Sequence, residues 1–297
     1  MAKQLLADMA LLLVTFIWGT TFVFVQRALT GIGPLYFITL RFALAFIFLA
    51  LAAGRQWLNL DRFTLRHGCL VGLILCGGYI FQTLGLKFTS AATAGFITGL
   101  SVILVPLLNA VFYRVLPGPL TLTGALIATA GLALLTLNPG LNFNPGDFLV
   151  FLGALCFAGQ ILMVERYARL HNTWLFTSIQ LFTVTVVAFL LALPSEKLPN
   201  SFTPAVWQAF ILTSLPATSL AYIIQNKVQQ FTTAIHTAII FTMEPVFAAL
   251  AAYLWGQEYL TWYQLAGCLL ILVGMLLAEM KANTAYTHRR TDKYLNG

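Results

Sequence analysis

Charge is scarce in this sequence: Asp, Glu, Lys and Arg make up 8% of 297 residues, and the acids number only nine. A water-soluble chain of this length needs more polar surface to cover itself, so a soluble enzyme or binding domain is excluded. Cysteine is scarce as well. The four present, Cys69, Cys76, Cys156 and Cys268, lie in apolar stretches without C-x-x-C spacing, which excludes a disulfide scaffold and leaves them as small packing residues. There is no G-x-x-x-x-G-K-[ST] run, hence no nucleotide-driven motor, and no H-E-x-x-H or Cys/His cluster to hold a metal. Nothing calls for a cofactor. "GIG" at 31–33 reads as a loop turn.

What fills the chain is apolar sequence: 60% of residues are hydrophobic and the mean hydropathy is +0.87. A helix crosses about 30 Å of hydrocarbon with roughly 20 such residues. Ten stretches qualify, at about 5–25, 35–53, 68–86, 91–113, 119–137, 147–164, 174–193, 205–226, 234–255 and 262–280. The expected fold is therefore an all-α integral membrane bundle of ten spans. Only "GRQWLNLDRFTLRH" (54–67) and a polar tail (281–297) stand outside it at any length. The first stretch lacks a small-x-small cleavage site and is expected to be retained.

Basic residues sort by loop, with twelve on one side, among them Lys3, Arg55, Arg114, Arg166 and Lys227, against Arg27, Lys87 and Lys197 on the other. Short basic loops stay cytoplasmic, which predicts both termini inside. The net charge of +7 is thus a topology signal, and a nucleic-acid partner is not expected. The bilayer is the expected partner.

The chain repeats itself. "YIFQTLGLKFTSA" (79–91) and "YIIQNKVQQFTTA" (222–234) share six of 13 residues at an offset of 143, and Gly124 and Gly131 match Gly267 and Gly274 at the same offset. Toward the N-terminus the offset falls to 139, aligning Phe37 with Phe176. Two five-span units are implied, 1–140 and 141–280, and an odd number of spans turns the second copy over. Inverted repeats are the plan of many secondary transporters, with the solute held near the midplane between the copies. Tyr79 and Gln82, and their mates Tyr222 and Gln225, are spaced i, i+3 on one helix face and are expected to look into a central cavity.

Other residues stand out chemically. Five tryptophans fall near span ends, as interfacial tryptophans do; Trp18 lies mid-span before "GTT" and is read as cavity lining. "IIFTMEPVFAALAA" (239–252) carries Glu244 and Pro245 in apolar surroundings. A carboxylate at that depth costs at least ~2.5 kcal/mol on insertion scales, so Glu244 is a candidate proton or cation handle, or else a structural pin. Pro245 deprives the Phe241 carbonyl of its helical partner, and Pro106 does the same for Val102, so both spans are expected to bend there. The mate of Glu244 is Ser101. Arg41, close to the outer end of its span, is expected to snorkel to the surface. His236 is read as a hydrogen-bonded residue near the cytoplasmic interface with a secondary claim to gating, and no acid lies near enough along the sequence to pair with it.

"FIWGTTFVFVQ" (16–26), "ITLRFALAFIFLAL" (38–51), "KFTSAATAGFI" (87–97) and "MEPVFAALAAYLWGQEYLTWYQLAGCLLILVGMLL" (243–277) resemble the EamA branch of the drug/metabolite transporter superfamily, over about residues 8–280. The resemblance implies a bacterial inner-membrane carrier with spans one, three, four, six, eight and nine around a central cavity. Trp18-Gly19, Arg41-Phe42 and Glu244-Pro245 match its W-G, R-F and E-P motifs, and Gly256 to Glu258 its G-x-E. The corresponding acid of the first half is absent from "RVLPGPL" (114–120).

The expectation is a secondary exporter of small organic solutes, best matched by amino acids or related metabolites, with Trp18, Tyr79, Gln82, Phe96, Gln160, Tyr222 and Gln225 touching solute and Glu244 coupling it to protons. No Lys or Arg falls mid-membrane in the cavity spans, which disfavours phosphorylated solutes. An uncoupled facilitator or exchanger is the alternative, and a membrane-embedded enzyme a second class.

Overall fold

In a computed structural model the described residues are 2–114, 118–136, 145–197, 201–256, 261–263, 265–274 and 276–277; the tail 281–297 and Glu258 lie outside them. Among these residues the structure is helical throughout: α1 (Ala2–Ala28), α2 (Pro34–Ala53), α3 (Arg62–Gly85), α4 (Ala91–Gly99), α5 (Ser101–Tyr113), α6 (Pro119–Thr136), α7 (Pro145–Tyr167), α8 (Thr173–Ser195), α9 (Pro204–Ser214), α10 (Ala221–Val228), α11 (Ala234–Phe241) and α12 (Glu244–Gly256), followed by α13 (Leu265–Gly274). Eight spans, some built of two helices, are long and apolar enough to cross a bilayer. Two further apolar helices, α6 and α13, stand where the fifth and tenth spans are expected.

Helix starts follow local chemistry. Asn172 Oδ1 accepts from the Trp174 and Leu175 N–H groups at α8, and Thr233 Oγ1 from the His236 N–H at α11, each meeting donors that a helix cannot pair itself. At α2, Pro34 supplies a first-turn residue without an N–H, and both oxygens of Glu196 accept, at 2.9 Å, from the N–H groups of Leu35 and Tyr36.

Packing is inverted relative to a soluble protein. Leu5, Leu51 and Leu254 are exposed, while Thr177, Gln180, Gln225 and Asn226 are fully buried, as expected where lipid covers the outside and polar groups must find partners within. Helices meet through small residues. A Cβ on Gly131 would fall 2.6 Å from the Gly267 carbonyl oxygen, and one on Gly274 equally close to that of Gly124. Since the numbers run in opposite senses, α6 and α13 cross antiparallel. These are the four glycines of the sequence repeat.

Three spans are broken. One unwinds between α11 and α12 at Thr242 and Met243, with Pro245 in the new first turn, as the sequence predicts. Its counterpart breaks at Leu100, between α4 and α5, 143 residues before Met243. Pro106 is not the break; it sits inside α5, and Gly99, without a side chain to hold the turn, precedes the interruption instead. The third break was not foreseen: Leu215–Leu220, between α9 and α10, is a turn of π-helix. Pro216 lacks an N–H to continue α9, and the hydroxyls of Thr218 and Ser219 donate five residues back to the carbonyls of Thr213 and Ser214.

Candidate functional site

Breaks and small residues leave a narrow cavity: its empty space, counted out through the open mouth, is about 670 Å³, of which about 60 Å³ is open to the centre of a water-sized sphere. Its walls come from α1 (Trp18, Thr21, Phe22, Val25), α3 and the turn after it (Tyr79, Gln82, Thr83, Leu86), α4 and α5 (Thr98, Ser101), α7 (Phe157, Gln160, Ile161), α10 (Tyr222, Gln225), and α11 and α12 (Phe241, Glu244), joined by Arg41 of α2. Six of the seven residues expected to touch solute are in this wall. Phe96 is not. It packs among apolar side chains with Ala94, Val102 and Val246, because it stands two residues, about 200° of helix, from the cavity-facing Thr98.

Tyr79 and Tyr222, equivalent residues of the two sequence copies, meet: the Tyr222 hydroxyl donates to that of Tyr79 at 2.9 Å. Trp18 packs its ring against Tyr222 and Phe241 at 5.4 and 5.1 Å and donates from Nε1 to the Ala217 carbonyl in the π-turn at 2.7 Å. Gln82 donates to Thr98 at 2.9 Å. Gln225 donates to Gln160 Oε1 and Gln229 Oε1, leaving Gln160 Nε2 and Gln225 Oε1, both buried, with no protein partner among the described residues. Such groups cost about 1–3 kcal/mol when nothing pairs with them. One is a donor and one an acceptor.

Arg41 does not snorkel. It is 5% exposed, donates from Nε to Thr218 Oγ1 at 2.7 Å and from Nη2 to the Tyr79 hydroxyl at 3.3 Å, and lies 4.8 Å from the centre of the Tyr79 ring. Its helix face, not its distance from the span end, directs it inward. The π-turn positions Thr218 to receive it. The expectation that the cavity lacks a cation, and with it the argument against phosphorylated solutes, therefore falls.

Glu244, 8% exposed, heads α12 with its carboxyl group in the wall. Gly19 lets α1 approach it: a Cβ there would lie 2.5 Å from the Glu244 carbonyl oxygen. Pro245 and Pro106 contribute through the backbone and do not line the cavity. His236 also stands outside the wall, and it does have an acid: its Nε2 is 2.8 Å from Asp8 Oδ1 of α1, a partner that distance along the sequence concealed. Near the start of α3, His67 Nδ1 and His171 Nε2 are 2.8 Å apart, with His171 Nδ1 hydrogen-bonded to Thr64. Burial and the neighbouring His67 push the His171 pKa below its ordinary value.

The model of the EamA-like transporter family matches residues 5–137 and again 144–280. An uncharacterised transporter of Archaeoglobus fulgidus is 33% identical over 282 residues, covering 94% of this chain and 87% of the relative. The uncharacterised transporter YcxC of Bacillus subtilis is 23% identical, covering 92% and 93%. One crystal structure superposes with a TM-score of 0.76 at 20% identity, over 94% of this chain and 98% of the other; at that identity the likeness is one of fold.

Proposed function

The chain belongs to the EamA-like transporter family of multi-pass membrane proteins, and from that premise we propose that it is a secondary exporter of small organic solutes working by alternating access. Its halves, 1–140 and 141–280, act as inverted repeats of five spans each, with α6 and α13 in the fifth and tenth, both termini cytoplasmic, in a bacterial inner membrane. The observation that carries the reading is the Tyr79–Tyr222 contact inside a cavity walled by both copies. Equivalent residues touch each other only near an axis relating the copies, and the antiparallel crossing of the matched glycines supports the same axis. A midplane site on such an axis is what rocking halves expose to either side in turn.

Hydrophobic amino acids suit the lining best: Trp18, Phe22, Phe157 and Phe241 supply apolar surface, Gln82, Gln160 and Gln225 polar contacts. Glu244 carries the proton that drives export. One proton moving down 100 mV supplies about 2.3 kcal/mol, enough for roughly a 50-fold gradient.

Reconstitution in liposomes tests this. Flux of a hydrophobic amino acid that rises with an imposed pH gradient is the expected result, and Glu244→Gln should abolish the rise while leaving downhill exchange. Gradient-driven flux that survives Glu244→Gln assigns coupling elsewhere or to none. No flux of any amino acid in the panel removes the substrate class.

A further inference from the structure

The cavity holds a guanidinium and a carboxyl group that do not meet. Arg41 has no acidic partner among the described residues; its contacts are the hydroxyls of Thr218 and Tyr79, the Ala217 carbonyl at 3.5 Å, and two aromatic rings. Nε and Nη2 make those bonds, and Nη1 makes none among the described residues. The Glu244 side chain likewise has no hydrogen bond or ion pair among the described residues, although both residues line the same cavity. A buried guanidinium without an anion is costly in a low-dielectric interior, and the protein tolerates it here rather than closing the pair.

A purely structural pin does not require that charge. At the offset of 139, the position of Arg41 in the second copy is Gln180, a fully buried neutral residue in the matching helix α8. The fold accommodates an uncharged side chain there, whereas the first copy carries a cation at the cavity. Guanidinium geometry suits oxyanions, since its planar fork donates two parallel N–H bonds to a carboxylate or a phosphate, and of the two a carboxylate is what the amino-acid reading supplies.

We infer that Arg41 is the carboxylate-recognition residue of the cavity, taking the solute's anionic end on the edge that carries Nη1, with the solute's ammonium turned toward Glu244. The assignment rests on reading the cavity as a solute site. It narrows the substrate to small zwitterions and makes Arg41 the residue that selects them. Thr218 and the π-turn position the guanidinium, and Tyr79 covers its face.

Binding separates this inference from the transport reading. The purified full chain in detergent is titrated calorimetrically with leucine, phenylalanine and threonine and with their three amides, which keep the amine and side chain but lose the carboxylate. The wild type is expected to prefer at least one acid over its amide by at least about tenfold, the usual margin for a charge-assisted pair. Arg41→Gln should bring that ratio to within about twofold while the amides bind as before, and Arg41→Lys, keeping a point charge without the fork, should fall between. A wild-type ratio near one for all three overturns the inference, whether or not the variants fold. So does the absence of binding by any of the acids, or a full preference retained in Arg41→Gln. Carboxylate-selective binding without flux in liposomes would instead keep the site and refute the exporter.

Discussion

Gly19 and Gly95 provide a matched test of how closely α1, α4 and α12 are packed. Both are mid-helix glycines facing α12, so replacement by alanine brings the same gain in intrinsic helix propensity, up to about 1 kcal/mol. They differ in the space available. At Gly19 the new Cβ would lie 2.5 Å from the Glu244 carbonyl oxygen, 2.8 Å from Phe247 Cβ and 2.9 Å from the Ala248 nitrogen. Two of those are backbone atoms, so relief requires α1 to retreat by about 1 Å from a close-packed interface. At Gly95 the nearest atom is Ala248 Cβ at 3.5 Å, an ordinary contact. Overpacking costs roughly 1–3 kcal/mol, and the propensity gain cancels in the comparison. Gly19→Ala should therefore unfold below Gly95→Ala by about 2–12 °C, taking 2–4 °C per kcal/mol for large domains, in a detergent thermal melt. Since Trp18 adjoins Gly19 and donates to the π-turn, Gly19→Ala should also reduce flux, and Gly95→Ala should not. Equal melting temperatures for the two would refute the proposed closeness of α1 and α12.

Glu196 and Gly33 form a second test: a Cβ on Gly33 would collide with the Glu196 carboxylate that caps α2, so Gly33→Ala and Glu196→Ala should each cost about 0.5–2 kcal/mol, and the double variant no more than the worse single one. The His171 pKa is lowered in the folded protein, so the unfolded chain binds the proton more readily; stability is full above the ordinary histidine value of about 6.5 and declines as pH falls below it. A melting-temperature profile from pH 7.5 to 5 should show that decline in the wild type and a smaller one in His171→Asn. Tyr222→Phe removes the donor to Tyr79 and should cost about 0.5–1.5 kcal/mol; in a double-mutant cycle, Tyr79→Phe should then add less than it does alone, and full additivity would place the two hydroxyls out of contact.

The sequence repeat did more to locate the site than any chemical motif. Tyr79, Gln82, Tyr222 and Gln225 emerged because copies retained them, and all four stand in the wall. Trp18 and Glu244 were visible as residues out of keeping with their depth. Arg41 points inward against expectation because distance to a span end says nothing about which way a helix is rotated. A signal was present nonetheless: its mate Gln180 is also polar, and a polar residue at one position in both copies marks an inward face. Pro216, between Ser214 and Thr218, carried the same helix-breaking chemistry as Pro245 and announced the π-turn that receives Trp18 and Arg41. Proline also misled, since Pro106 sits within α5 while the break falls beside Gly99. Phe96 shows the limit of composition, an aromatic on a cavity helix yet on its far side. The Asp8–His236 pair joins residues 228 apart, which no local pattern encodes.

On the inverted-repeat reading, the charges bear directly on how such a carrier gains a direction. Two identical halves would have end states of equal energy, each the other's image. Arg41 and Glu244 break that equivalence, because their mates, Gln180 and Ser101, are uncharged. Rocking that exchanges the environments of the halves moves Glu244 into the surroundings now held by Ser101, also a cavity residue, and moves Ser101 into those of Glu244. A carboxyl group transferred between unlike surroundings binds its proton with different strength in each, and a ligand shifts a conformational equilibrium only by the difference in its affinity for the two states. The proton is then such a ligand for one half alone. On the proposed reading of the site, the zwitterion held between Arg41 and Glu244 is a second, and it competes with the proton for the same carboxylate. On that reading, exchange of the two across the membrane follows from the competition, with the repeat supplying an approximate symmetry and Arg41 and Glu244 an asymmetry of charge.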